Sequence, residues 1–175
     1  MRGVSARTRL LSVDDAAEVA GVLAAERAFM APYEPLRADA FYTAEGQREV
    51  LRLRLERHEA GHEVPRAIVD DAGAVVGGIT LQAIERGPYL SCSLGYWVAE
   101  AVGGRGYASQ AVAEMLAEAF GPQALHRVQA VTLLDNLRSQ RVLAKNGFTH
   151  IGTAPRLLHL AGAWRDHHLF QRLAD

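Results

Sequence analysis

The feature that most constrains this chain is a glycine-rich turn between an apolar strand and an amphipathic helix. The strand runs from Leu94 to Val98, and the turn after it contains Gly103, Gly104 and Gly106. Glycines in such a turn permit a tight bend or a close approach of the backbone to a ligand. The helix that follows begins with unpaired N–H groups and the positive end of its dipole. This order predicts a site for phosphate oxygens, to which Arg105 adds a positive charge.

Helical spacing of apolar residues predicts four helices. The helix after the glycines runs from Ala108 to Ala119 and ends before Gly121-Pro122. An earlier helix is expected after Ser12, because Asp15 three residues later completes a capping box. The other two are expected from near Thr43 to about Ala60 and from Asn136 to Lys145.

Shorter apolar runs predict strands, and the segment from Phe29 to Pro35, with its two prolines, is predicted to be an ordered loop. The strands are expected at 67–69 and 74–81, joined by a hairpin turn, and at Leu90 to Val98, Arg127 to Leu133, Phe148 to about Thr153 and His168 to Leu173. No repeat or interdomain linker interrupts the pattern, so residues 1–175 are expected to form a single α/β domain.

Composition excludes several classes of protein. A net charge of -1 argues against a general nucleic-acid or membrane-surface binder, since such proteins carry a large basic excess. The single cysteine, Cys92, lies in an apolar strand and is expected to be a buried, unreactive thiol, as suits a reducing compartment. No signal peptide or membrane-spanning run is evident, and a cytoplasmic location is expected.

His58-Glu59-Ala60-Gly61-His62 matches H-E-x-x-H, the motif of zinc proteases. That motif requires both histidines on one continuous helix and a third ligand. Here Gly61 and Pro65 are expected to end the helix near His62, and the flanking residues are charged. A polar helix end is the favoured interpretation, and no metal site is predicted.

Beyond the glycine turn, several motifs occur in a familiar order. They are Leu94 to Val98, Gly104 to Ala108, His126-Arg127-Val128, Asn136-x-x-Ser139, Lys145 to Phe148 and Trp164-Arg165-Asp166-His167. This order resembles the GNAT superfamily of acetyl-CoA-dependent N-acetyltransferases over nearly the whole chain. More narrowly it resembles the group that acetylates the N-terminal alanine of ribosomal proteins. The Phe29 to Arg37 loop and Arg86 to Tyr89 are similar to the branch acting on a small-subunit protein.

The resemblance implies the GNAT fold, a mostly antiparallel mixed sheet flanked by helices and splayed between its fourth and fifth strands. It also implies that acetyl-CoA binds in that gap, along a predicted set comprising Tyr96, Trp97, Val98, Gly103, Gly104, Arg105, Gly106, Tyr107, Ala108, Asn136 and Ser139. Gly103 departs from the family, which commonly has Gln or Arg there, so one side-chain contact is lost.

By the same resemblance, Ser139 would donate a proton to the leaving thiolate and Asn136 would hold the pantetheine or acetyl region. Helix capping is the structural alternative for both residues. The general base is open, because Ser93 and Ile151 stand where relatives often have glutamate. Glu34, Glu85, Glu100, His159 and a water chain are the candidates, and water-mediated deprotonation is the working hypothesis.

Tyr33, Glu34, Trp164 and Asp166 are the candidate acceptor-side residues, although Tyr33 and Trp164 are equally compatible with core or turn positions. The resemblance implies that the acceptor is the N-terminal amine of a protein and, in the narrower group, of a ribosomal protein. The alternatives are a small amine or antibiotic, a non-catalytic acyl-CoA-binding module and, outside the family, the zinc protease. The sequence predicts no oligomeric state.

Overall fold

A computed structural model of the protein describes residues 7–174. Their strands form one sheet in the order β1-β2-β3-β4-β5-β7-β6. The strands are β1 (Arg7–Leu10), β2 (Val64–Val69), β3 (Val75–Glu85), β4 (Ser91–Val98), β5 (Arg127–Leu133), β6 (Thr149–Leu160) and β7 (Ala163–Leu173). The helices are α1 (Ala16–Ala25), α2 (Arg27–Met30), α3 (Ala44–Glu59), α4 (Tyr107–Phe120) and α5 (Leu137–Lys145).

Every neighbouring pair of strands is antiparallel except β4 and β5, which run parallel. That parallel pairing extends only from Ser91 opposite Arg127 to Ser93 opposite Gln129. Beyond it the two strands diverge, so their remaining edges face a gap. The predicted α/β class, with a splayed and mostly antiparallel mixed sheet, is confirmed.

The helices cover both faces of the sheet. Ile68 packs with α4 in one apolar cluster, which also includes Met115 and Leu143. Its neighbours Ala67 and Val69 belong to a second cluster with residues of α1 and α3. Because successive side chains of a strand point to opposite faces, the two clusters lie on opposite sides of the sheet. Cys92 is buried in the first cluster, and burial raises the pKa of its thiol to about 12.

The start of α1 follows the predicted cap chemistry, and α3 has a cap that was not predicted. Ser12 and Asp15 form a reciprocal capping box at a 3-10 turn that leads directly into α1. Arg9 of β1 holds the Asp15 carboxylate at 2.8 Å. Thr43 caps α3 by accepting a hydrogen bond from the Gly46 N–H. These bonds satisfy N–H groups that a helix start would otherwise leave unpaired.

Three parts of the sequence prediction were incomplete. β1 was not predicted, because a four-residue edge strand that alternates Arg with Thr and Leu has no apolar periodicity. The segment predicted as a loop from Phe29 to Pro35 begins instead as the end of α2 and a 3-10 turn over Ala31–Tyr33. β6 and β7 form a longer hairpin than expected, because most residues of its outer half are exposed and carry no burial pattern.

The H-E-x-x-H stretch lies at the end of α3 rather than within a helix. The helix ends at Glu59, and His62 lies beyond it. The Nδ1 of His58 is bonded to the Glu63 carbonyl oxygen at 2.8 Å. The two histidines therefore do not share the continuous helix that the motif requires. Among residues 7–174, no helix is long and apolar enough to cross a membrane.

Candidate active site

A cavity of about 690 Å³ opens where β4 diverges from β5. Its walls come from the end of β4, the glycine turn, the start of α4, one side of α5 and the end of α2. Eleven of the sequence-predicted site residues line it: Tyr33, Tyr96, Trp97, Val98, Gly103, Gly104, Gly106, Tyr107, Ala108, Asn136 and Ser139. The splay of the sheet thus brings together residues that are far apart in the chain. We call this space the first cavity.

The glycine turn presents backbone donors to the first cavity. Gly106 caps α4 with a φ of +93°, a left-handed conformation that favours glycine. The N–H groups of Gly103 and Arg105 are used within the turn, since they donate to the carbonyls of Glu100 and Val102. The donors that remain for a ligand include those of the first turn of α4, beginning at Tyr107. Arg105 itself is exposed and does not line the cavity.

Basic side chains on α5 form the opposite wall of the first cavity. Arg138, Arg141 and Lys145 all line it. The Arg138 guanidinium also lies 5.9 Å from the ring centroid of Phe29, another lining residue. Sequence reasoning missed these cations, although their i, i+3, i+7 spacing after the Asn136 cap places them on one face of a helix. They supply positive charge that Arg105 does not bring to the cavity wall.

A second cavity of about 240 Å³ lies on the β5, β6 and β7 side of the gap. Its lining is mostly apolar and includes Ala130, Leu133, Leu143, Leu158 and Leu160, with His167 at the sheet. Four residues line both cavities: Tyr33, Tyr96, Asn136 and Ser139. A ligand in the first cavity and one in the second would therefore meet at these four side chains.

Hydrogen bonds fix this shared wall. The Tyr96 hydroxyl lies 2.7 Å from Ser139 Oγ. Asn136 Oδ1 accepts a hydrogen bond from the Ser139 N–H at 3.1 Å and so caps α5. Burial raises the pKa of Tyr96 to about 12, and the bond to Ser139 acts in the opposite direction. The Tyr96 phenol therefore keeps its proton at neutral pH.

The candidate bases from the sequence are not gathered at this wall. Glu100 lines the first cavity, where its N–H is held by the Glu26 carboxylate at 3.0 Å. Glu85 is exposed at the end of β3. His159 is exposed and makes an edge contact with Trp164, with ring centroids 5.4 Å apart.

Of the predicted acceptor-side residues, only Tyr33 lies at the shared wall. Partial burial raises the pKa of Glu34, and Arg37 opposes that shift. The Glu34 carbonyl accepts a hydrogen bond from Ala161 N–H, which ties this loop to the β6–β7 turn. Trp164 is 62% exposed on the hairpin, and the Asp166 carboxylate accepts a hydrogen bond from Arg156 N–H. The structure does not bring Glu34, Trp164 or Asp166 into either cavity wall.

Comparison with known proteins agrees with this architecture. Residues 7–149 match the family model of the acetyltransferase (GNAT) domain. The chain is 35% identical over 170 residues to "Probable N-acetyltransferase YjcK" of Bacillus subtilis, covering 95% of this chain and 93% of that protein. The chain belongs to the GNAT acetyltransferase family.

Two solved structures share the fold along nearly the whole chain. One is a ribosomal-protein-S5-alanine acetyltransferase from Vibrio fischeri, at 31% identity and a TM-score of 0.93, covering 98% of this chain and 94% of that chain. The other is Mycobacterium smegmatis RimJ in complex with CoA-disulfide, at 30% identity and a TM-score of 0.92, covering 95% and 81%. The ribosomal-protein group named from the sequence motifs is therefore confirmed as the group this chain resembles.

Proposed function

We propose that this protein transfers the acetyl group of acetyl-CoA to the N-terminal α-amine of a protein, with a ribosomal protein as the foremost acceptor. The observation that carries the proposal is the meeting of the two cavities at Tyr96 and Ser139. One cavity suits a long polyanionic thioester, and the other suits a small acceptor. The whole chain would act as one domain, and a ribosomal acceptor implies a cytoplasmic enzyme.

The residues of the first cavity fit acetyl-CoA. The N–H groups at the start of α4 would hold the pyrophosphate, helped by the helix dipole. Arg141 and Lys145, which line the same cavity, add charge complementary to phosphate. The free edge of β4 at Tyr96 to Val98 offers main-chain groups that can pair with the amides of the pantetheine arm, as an added strand would.

The second cavity fits a small apolar first residue. Its walls are largely Leu and Ala side chains, and its volume is about 240 Å³. Two relatives are named for alanine or ribosomal-protein acetylation, and both are about 30% identical to this chain. We assign alanine as the first residue to test. Tyr33 would contact the start of the acceptor, and Glu34, Trp164 and Asp166, which line neither cavity, would contact residues further along a protein acceptor.

The chemistry is direct attack of a neutral amine on the acetyl carbonyl. An α-amine has a pKa near 8, so about a fifth of it is neutral near pH 7.4, whereas a lysine amine is almost wholly charged. Val98 lines the first cavity, and its N–H would stabilise negative charge on the carbonyl oxygen. Ser139 would give a proton to the leaving thiolate, and Tyr96 would support it.

The test has two stages. Acetyl-CoA should raise the melting temperature, because a ligand that binds only the folded state stabilises it, whereas zinc and NAD should not. Synthetic peptides that begin with alanine should then be acetylated faster than the same peptides beginning with leucine or carrying a blocked terminus. Acetylation of small amines such as spermidine, with no turnover of any peptide, would overturn the proposed acceptor. No shift with acetyl-CoA would overturn the proposed donor.

A further inference from the structure

His167 of β7 is a buried histidine to which the proposed chemistry gives no part. Only 2% of its surface is exposed, and its ring lines the second cavity. On β7 it stands opposite Leu133 of β5 and Ala154 of β6. It therefore lies one strand beyond β5, which borders the gap, and it lines the cavity that would hold the acceptor amine. In the sequence, His167 stood out only as the last residue of the Trp164-Arg165-Asp166-His167 motif.

A single hydrogen bond sets the tautomer of this ring. The His167 Nδ1 lies 2.9 Å from the carbonyl oxygen of Arg165. A carbonyl oxygen can only accept, so Nδ1 carries the hydrogen and donates it. In the neutral ring Nε2 is then left with a lone pair. Within residues 7–174 this Nε2 has no hydrogen-bond partner.

Few other groups around His167 could accept a proton. The other titratable groups in the wall of the second cavity are the phenols of Tyr33 and Tyr96, and that wall contains no carboxylate. The adjacent Asp166 is bonded to the Arg156 N–H, and the adjacent His168 to Thr153. Among the side-chain types in this wall, only an imidazole has a lone pair that accepts a proton near neutral pH.

A second polar group also indicates that the wall of the second cavity binds a ligand. The hydroxyl of Thr132 is buried and unpaired among the described residues, and Thr132 also lines the second cavity. Buried polar groups in native proteins nearly always have a partner. A polar ligand or an ordered water would satisfy the Thr132 hydroxyl, which lies on the sheet face opposite to that of His167 because Thr132 pairs with His168.

We propose that His167 is the general base of the acetyl transfer, an assignment that rests on the proposed function. As the amine nitrogen forms its bond to the acetyl carbon, Nε2 takes one proton from that nitrogen, directly or through one water. The carbon–sulfur bond breaks, and the thiolate takes a proton from Ser139. Ser139 regains a proton from solvent through Tyr96, and the imidazolium of His167 loses its proton to solvent. The products are an amide and a thiol, and no proton is gained or lost by the enzyme.

The first test is the pH dependence of kcat/KM between pH 5 and 9, with acetyl-CoA and a peptide beginning with alanine. In the natural protein, both His167 and the acceptor amine must be deprotonated. The logarithm of kcat/KM should therefore approach a slope of 2 at the acid end of this range. In His167→Asn the slope should be 1, and the rate near neutral pH should fall by about 10²-fold or more. An amide at this position can still donate to the Arg165 carbonyl, so the variant keeps the local bond.

The matched control is His168→Asn, which removes the adjacent histidine, bonded to Thr153 rather than lining the cavity. This variant should keep both the rate and the slope of 2. Each variant should keep the thermal shift with acetyl-CoA, which shows that the donor site is intact. An unchanged profile in His167→Asn would overturn the assignment, while loss of the acetyl-CoA shift in the natural protein would point to failure of the proposed function instead.

The second test requires no turnover. Two-bond nitrogen–proton NMR correlations of the natural protein, labelled at histidine, report which ring nitrogen of His167 is protonated. The expected result is a hydrogen on Nδ1 and a lone pair on Nε2 at high pH. A hydrogen on Nε2 would overturn the assignment, whatever acceptor the enzyme uses and however His167→Asn folds.

Discussion

The Tyr96 hydroxyl and the Ser139 hydroxyl lie 2.7 Å apart across the gap between β4 and α5. This bond joins the strand edge that would hold the pantetheine arm to the helix that caps the other side of the cavity. Because burial raises the pKa of Tyr96 to about 12, the phenol is a proton donor and not a phenolate at neutral pH. The pair can therefore donate a proton to the leaving thiolate and then regain a proton from solvent.

Ser139→Ala should lower kcat by about 10²-fold, because it removes the group that protonates the thiolate. The affinity for acetyl-CoA should change little, since the backbone and basic contacts remain. Tyr96→Phe should have a smaller effect, because Ser139 is still present. Steady-state kinetics with an alanine-initiated peptide, together with a titration of CoA, measures both effects.

The Tyr96→Phe/Ser139→Ala double variant tests whether the two hydroxyls act as one unit. Residues in direct contact give non-additive effects, so the double variant should be barely slower than Ser139→Ala alone. Two losses that simply multiply would contradict a shared proton path.

Gly106→Ala should weaken acetyl-CoA binding about tenfold or more. A Cβ at Gly106 meets no atom within 4 Å, but its φ of +93° strains any other residue, and the strain displaces the turn that orients the first N–H groups of α4. The matched control is Gly73→Ala in the β2–β3 hairpin turn, where φ is +86° and the space is equally open. Both variants should lose about 1 to 2 kcal/mol of stability. Only Gly106→Ala should change the Kd for acetyl-CoA, and equal Kd values would contradict a phosphate site at this turn.

Substitutions of Asn136 separate its helix cap from its contact with the donor. Asn136→Asp keeps an oxygen that accepts from the Ser139 N–H, so stability should hold, but it places a negative charge beside the thioester. Asn136→Ala should cost about 1 kcal/mol through loss of the cap. If Asn136 binds acetyl-CoA, both variants should raise its Kd. A normal Kd in both, with a loss of stability in Asn136→Ala alone, would leave capping as its whole role.

The sequence predicted most of the first cavity, because that wall is local in the chain. The strand before Val98, the glycines and the helix start are consecutive, so their order alone predicts a phosphate site. The wall formed by α5 was found only in part. The cap Asn136 and Ser139 belong to a recognisable motif, whereas the side of α5 that faces the cavity depends on how that helix packs against α4.

The acceptor side could not be predicted in the same way. The second cavity is built from β4, β5, β6 and β7, and its shape depends on where β4 and β5 stop pairing. His167 lies in a run of exposed residues of β7, and only strand register shows that it turns inward. Asp166 was assigned to the acceptor from the same motif, although its carboxylate bonds to the Arg156 N–H at a register shift in β6.

Asp15→Asn should destabilise the protein above about pH 4 and have less effect at lower pH. The bidentate bond from Arg9, with both N···O distances 2.8 Å, holds the pKa of the Asp15 carboxyl below its ordinary value. A carboxyl whose pKa is lower in the folded state stabilises the fold when it is ionised in both states. That contribution is lost as the pH falls through the folded pKa. Urea unfolding from pH 3 to 7 should give a difference of about 1 kcal/mol at pH 7 that shrinks below pH 4.

Asp14→Asn is the control: its exposed carboxylate forms no ion pair with any described residue, so its effect should be small at every pH. A difference for Asp15→Asn that does not vary with pH would mean that packing, rather than the charge on Asp15, stabilises the start of α1.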